Sequence, residues 1–162
     1  MDITTSKPPT AQRLPEELLL SAVFLLKRLG GAAKEQSLAR YDEIGLHPYH
    51  YAILALLDEG ERETQGAIAD ALGYDRGQLV GLLDELERAG LIERRRDPND
   101  RRRHVVQMTP DGRKTLARLR TTAQQIEDEF LAPLDARERK QLHSLLRRLA
   151  DEHVPVCRDL PR

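Results

Sequence analysis

Between residues 64 and 90 the helix-starting and helix-stopping residues fall so close together that only two short helices joined by a turn fit. Thr64 is a side-chain oxygen suited to an N-cap, Ile68 and Leu72 share one face of the helix over 65–72 that follows, and Gly73 closes it. Asp75 caps the next helix, where Leu79, Leu82, Leu83 and Leu86 form one apolar stripe until Ala89-Gly90. The spacing predicts helix, tight turn, helix. After Gly90 the period changes. Leu91-Ile92, a run of arginines, the turn Asp97-Pro98-Asn99-Asp100, a second run of arginines and His104-Val105-Val106-Gln107-Met108 read as a two-stranded hairpin with the acidic turn at its tip.

The flanks are helical in pattern. Residues 1–13 are polar, contain Pro8-Pro9 and read as a flexible arm. From Leu14, Pro15 at a first helical position and Glu16-Glu17 in the first turn open an apolar series, Leu18, Leu19, Ala22, Val23, Leu25, Leu26 and Leu29. This predicts one long helix, kinked at Gly30-Gly31, ending near Glu43 and stopped by Gly45. Pro48 starts another helix through Tyr51, Ile53, Leu54 and Leu57 to Gly60. Thr109-Pro110 opens a further one through Leu116, Leu119, Ala123, Ile126 and Phe130, broken by Pro133. Asp135 with Glu138 resembles a capping box for a last helix carrying Leu142, Leu145, Leu146 and Leu149, and residues 151–162 read as a tail. The expected fold is mainly α with a small β-hairpin: a winged helix-turn-helix over about 47–108, flanked by helical regions at 14–43 and 110–150. Those flanks carry more leucine than the small lobe can cover, which predicts a homodimer held by the terminal helices.

The 162 residues allow a sizeable core, and with 26 basic against 27 acidic side chains any nucleic-acid surface must come from arrangement, not from total charge. The longest apolar stretch, Leu18 to Leu26, is interrupted by Ser21, followed by Lys27-Arg28, and short of the ~20 residues of a membrane span. Asp2 before Thr4, Thr5 and Ser6 lacks the basic-then-apolar order of a secretory signal, so a cytoplasmic protein is expected. Cys157 has no partner for a disulfide or a CxxC pair; a redox role and a bland tail thiol both remain open for it. No phosphate-binding glycine loop, nucleophile elbow or metal-ligand spacing is present, and His47 and His50 lack a carboxylate within helical reach. Neither an enzyme, a cofactor nor a metal site is expected.

Function is expected on the paired helices and the hairpin. Arg94, Arg95, Arg96, Arg101, Arg102 and Arg103 stand against only Asp97 and Asp100. A hairpin so charged, placed after a helix-turn-helix, suits a phosphate backbone or a narrow minor groove, although a solvated basic loop has the same composition. The second helix would enter the major groove with Arg76, Gly77, Gln78, Val80 and Gly81, which lie near its start or opposite the leucine stripe. Arg76 suits guanine or a phosphate, and Gln78 suits adenine or a capping role with Asp75. Thr64 and Gln65, at the start of the preceding helix, complete the expected DNA-contact set with Arg94, Arg96, Asp100, Arg101, Arg102 and Arg103. A winged helix that binds RNA or protein is the competing reading.

Three segments carry a family resemblance: Thr64-Gln-Gly-Ala-Ile-Ala-Asp-Ala-Leu-Gly73, Leu82-Leu-Asp-Glu-Leu-Glu-Arg-Ala-Gly-Leu-Ile-Glu-Arg94, and residues 97–112 with Asp100, Arg102 and Met108-Thr109. Over 14–149 the chain resembles the MarR family of bacterial regulators. The resemblance implies a homodimer with two winged lobes on a pseudo-palindromic double-stranded operator, and a repressor relieved by a small aromatic or phenolic ligand. Val80-Gly81 replace the polar pair frequent in the family's recognition helix, and His47 stands where a threonine N-cap is common. The resemblance also implies a ligand pocket between the first, second and fifth helices. Tyr41, His47, Tyr49, His50 and Tyr51 cluster there in sequence, with Arg28 or Arg40 as counter-charge; packed tyrosines and surface histidines are the alternative.

Overall fold

The computed structural model describes residues 14–60, 62–100 and 102–157. A division between Glu35 and Gln36 separates two compact units. In the first, α1 (Glu16–Leu19) is followed by the start of α2 (Ala22–Asp42). The helix breaks at Leu20-Ser21, not at the expected Gly30-Gly31. The serine supplies the reason, because Ser21 Oγ accepts from the backbone N–H of Phe24 at 3.3 Å and so starts a new helix. Nothing approaches within 4 Å of a side chain placed at Gly30 or Gly31, and the helix runs through both. Leu20, Val23 and Leu29 are exposed on this unit.

The second unit continues with α3 (Pro48–Gly60), β1 (Arg62–Thr64), α4 (Gln65–Leu72), α5 (Arg76–Arg88), β2 (Ile92–Arg96), β3 (His104–Met108), α6 (Pro110–Phe130) and α7 (Ala136–His153). The expected hairpin is β2–β3, but the sheet has three antiparallel strands in the order β1-β3-β2. The added strand pairs Glu63 with Val106 and Thr64 with Val105. At three residues it is too short to show alternation, and Thr64 both ends it and caps α4.

The predicted caps form. Thr64 Oγ1 accepts from Ala67 N–H at 3.2 Å, and Asp75 Oδ1 from Gly77 and Gln78 N–H at 2.9 and 3.1 Å. Thr109 Oγ1 accepts from Gly112 N–H at 3.0 Å, and Asp135 with Glu138 makes the full capping box. Gly73 takes φ 67°, the left-handed stop that other side chains resist. At the start of α3 the missing threonine is replaced by two imidazoles. His47 Nδ1 accepts from Tyr49 N–H at 3.2 Å while His50 Nδ1 accepts from His47 N–H at 3.1 Å, a reciprocal cap built from histidine.

The core lies under the helix-turn-helix. Ile53, Leu54 and Leu57 of α3, Ile68 of α4, Leu79, Leu83 and Leu86 of α5, Val106 of β3 and Leu116 and Leu119 of α6 are buried together. The leucine stripe of α5 is therefore fastened to three other helices, which leaves its opposite face outward. At Gly112 a side chain would collide with the Leu91 carbonyl and Met108, because α6 starts tight against the end of the sheet. The expected tail is shorter than its sequence implied: α7 runs to His153 and a 3₁₀ turn over Pro155–Cys157 brings Val156 Cγ1 to 3.0 Å from a side-chain position at Gly73.

Candidate nucleic-acid interface

The pairing of β1 with β3 carries the wing arginines to the start of α4. Thr64, Gln65, Gly66, Arg76, Arg102 and Arg103 border one open recess of about 550 Å³. The recess lies at the start of α4, the positive end of the helix dipole; Ala67 N–H there is taken by the Thr64 cap, and Gly66 leaves the backbone uncovered. Arg76, Gly77, Gln78, Val80 and Gly81 all lie exposed on α5. The backbone of Gln78 is committed to Asp75, while Val80, 44% exposed, is an apolar contact on an otherwise polar surface.

Asp100 organises the wing tip. Its Oδ1 accepts from Arg102 N–H at 3.0 Å, its carbonyl accepts from Arg103 N–H at 2.9 Å, and its Oδ2 lies 3.6 Å from Arg103 Nε. Asp97 Oδ1 accepts from Asn99 N–H, and Arg103 O from Asp97 N–H, both closing the turn. Arg95 pairs with Glu93 at 2.9 Å. Arg96 and Arg102 are exposed with no carboxylate at ion-pair distance among the described residues; Arg101 lies outside those residues.

Arg94 does not join the exposed arginines. Its guanidinium lies between Asp84 and Glu87 of α5, with Nη2 2.5 Å from each carboxylate and Nε 3.0 Å from Glu87 Oε2. Its backbone N–H also donates to Glu87 Oε1 at 3.0 Å. The arginine holds the Glu87 carboxyl below its usual range and is itself held more firmly protonated. Two acidic side chains one helical turn apart claim it, whereas the sequence placed it among the DNA-contacting arginines; in the sequence the pairing looks like ordinary helix-surface charge.

The aromatic cluster packs ring against ring. Tyr41 is buried, its ring 6.1 Å from that of Tyr51, and burial pushes its hydroxyl up to about 12. Tyr49 stands between His47, at 4.6 Å, and Tyr74, at 5.0 Å. His50 is buried with Nε2 2.9 Å from Glu85 Oε2 of α5, close but without the alignment of a hydrogen bond. Burial lowers its proton affinity, against the pull of Glu85. Arg40 is taken up by Glu129 and Gln125, and Arg28 is exposed on the first unit. A recess of about 220 Å³ does lie nearby, lined by Ile44, Leu46, Ala89, Leu91, Leu119, Thr115 and Arg118. It uses none of the tyrosines and histidines. Thr115 and Arg118 were unreadable as site residues because they lie on the polar side of an amphipathic helix.

A MarR family model matches residues 44–103. A putative transcriptional regulatory protein for the hcr operon of Thauera aromatica is 37% identical over 114 residues, covering 69% of each chain. The structure of the transcriptional repressor CouR bound to a 23-mer DNA duplex is similar with a TM-score of 0.78 at 35% identity, covering 86% of this chain and 99% of that one. The PcaV regulator of Streptomyces coelicolor in complex with its natural ligand is similar with a TM-score of 0.71 at 29% identity, covering 86% of this chain and 98% of that one. None of the helices among the described residues is long and apolar enough to cross a membrane.

Proposed function

From the premise that this chain belongs to the MarR family of transcriptional regulators, we propose that it is a homodimeric repressor of a pseudo-palindromic operator in double-stranded DNA, acting in the cytoplasm. The recess formed by the α4 N-terminus with Arg76, Arg102 and Arg103 carries this reading. It offers a phosphate three guanidinium charges at the positive end of the α4 dipole, against the one carboxylate of Asp70 on its lining, beside the outward face of α5. The likeness to a repressor held on duplex DNA supports the same placement. In it Arg76 and Gln78 read base edges, Val80 meets a thymine methyl, Thr64 and Gln65 seat the backbone, and Arg96, Arg102 and Arg103 follow it along the wing. Leu145, Leu146 and Leu149, exposed on α7, are covered by the second copy.

A small aromatic or phenolic acid relieves repression. The recess below the α2–α3 turn suits it, because apolar walls face Thr115 and an Arg118 without an ion-pair partner among the described residues. Its walls include Ala89 at the end of α5, so occupancy there bears on the recognition helix. A relative solved with its natural ligand supports a ligand-responsive reading.

Fluorescence anisotropy with DNA flanking the gene tests the proposal. Arg76→Ala should cost on the order of 1–3 kcal/mol on the specific duplex and much less on a scrambled one. Arg102→Ala should weaken both and lower the salt slope by about 0.9. Equal affinity of the unmodified protein for every duplex would remove sequence-specific repression from consideration.

A further inference from the structure

The Arg94 cluster does something the exposed arginines do not. β2 is an edge strand, because β3 occupies its only paired side, so the outward N–H of Arg94 would otherwise face water. Glu87 takes that N–H at 3.0 Å on one oxygen and the guanidinium of the same residue on the other. Asp84, one turn earlier on α5, shares the Arg94 Nη2 with Glu87. Strand and side chain are thus both tied to the helix that carries Arg76 and Gln78, two residues before the wing reaches Arg96. At the foot of β2, Ile92 and the preceding Leu91 are buried in the core shared with α5.

We propose that Arg94, with Glu87 and Asp84, is a positioning residue that fixes the angle between the recognition helix and the wing, so that the two engage one operator half-site together. This rests on the DNA-binding reading above. The cluster carries one positive against two negative charges, so the loss of a carboxylate from it acts on binding with the opposite sign from the loss of a phosphate contact. Removing Glu87's charge makes the surface less negative, which by electrostatics alone strengthens binding to any duplex. As a positioning device, the same change weakens operator binding.

Glu87→Gln, Arg94→Ala, Arg94→Lys and the double variant Glu87→Gln/Arg94→Ala should be titrated against the duplex flanking the gene and its scrambled form at several salt concentrations. Hydrogen exchange over 92–108 should be followed in the free proteins. Glu87→Gln and Arg94→Ala should each weaken operator binding about tenfold, and the double variant no more than either single one. The salt slope should stay unchanged, and exchange in β2 and β3 should quicken. Lysine keeps the charge but not the fork, so Arg94→Lys should restore little of the loss. Tighter operator binding by Glu87→Gln, a salt slope reduced on both duplexes by Arg94→Ala, or unaltered exchange in all variants would each overturn the proposal. The exchange arm involves no DNA, and failure of Arg102→Ala to alter any binding would count against the DNA-binding reading instead.

Discussion

Helices α5 and α7 carry the same kind of leucine stripe and meet different fates. In α5, Leu79, Leu82, Leu83 and Leu86 are all buried within their own chain. In α7, eighteen residues long, none is buried, and Leu145, Leu146 and Leu149 stay half exposed. An amphipathic period therefore states that a face will be covered, not by what. The helix-turn-helix completes its own core; α7 presents an apolar face of the kind a second copy covers.

The comparison breaks first at the core. Leu83→Ala should lose about 2–5 kcal/mol of unfolding free energy in urea, because Leu83 is fully buried among three helices. Leu146→Asp should leave the urea midpoint of the lobe nearly unchanged, yet shift sedimentation toward monomer and weaken binding to a two-half-site operator. A dimer that survives Leu146→Asp at micromolar concentration would show that α7's stripe has another purpose.

Glycine sharpens the same contrast at smaller magnitude. Gly112→Ala should destabilise by roughly 1–3 kcal/mol, since the methyl would meet the Leu91 carbonyl and the Met108 side chain. Gly30→Ala, in an open stretch of α2, should instead stabilise by about 0.5–1 kcal/mol. Thermal melting of the two variants reads both signs.

Such contrasts mark what the sequence made legible. Caps and stops that act within four residues, Thr64, Asp75, Thr109, Asp135 and Gly73, were readable because their partners are local backbone. Features set by distant partners were not. The strand at 62–64 exists because β3 pairs with it, and Arg94 turns inward because Asp84 and Glu87 meet it from another element. The tyrosines near position 50 had the composition of a pocket, but which rings they would stack on, Tyr74 from another element among them, was set by the fold. Ser21 was readable in principle, as an N-cap outranking two glycines that the helix simply tolerates.

The smallest effect separates two titrating regions. Glu87 beside Arg94 has its proton affinity lowered in the fold, so its contribution is present above the ordinary carboxylate range and is lost only as pH falls below it. His50 is lowered as well, by burial first, and the fold accordingly holds it neutral. Its Nδ1 lone pair accepts from His47 N–H, while Glu85 and His47 are the charged or titratable groups that face it. The unfolded chain takes up a proton near pH 6.5 more readily than the native chain, so stability is full above that value and declines below it. The slope is bounded by one proton, at most about 1.4 kcal/mol per pH unit, and the Glu85 carboxylate keeps it below that bound. Between pH 7.5 and 5.5 the decline should therefore come from the base of α3 and not from the wing clamp. His50→Gln, which retains an acceptor for the reciprocal cap without titrating, should flatten this part of the profile, whereas Glu87→Gln should leave it intact. Urea midpoints for the three proteins across that range decide it: an undiminished decline in His50→Gln would move the titration to another group.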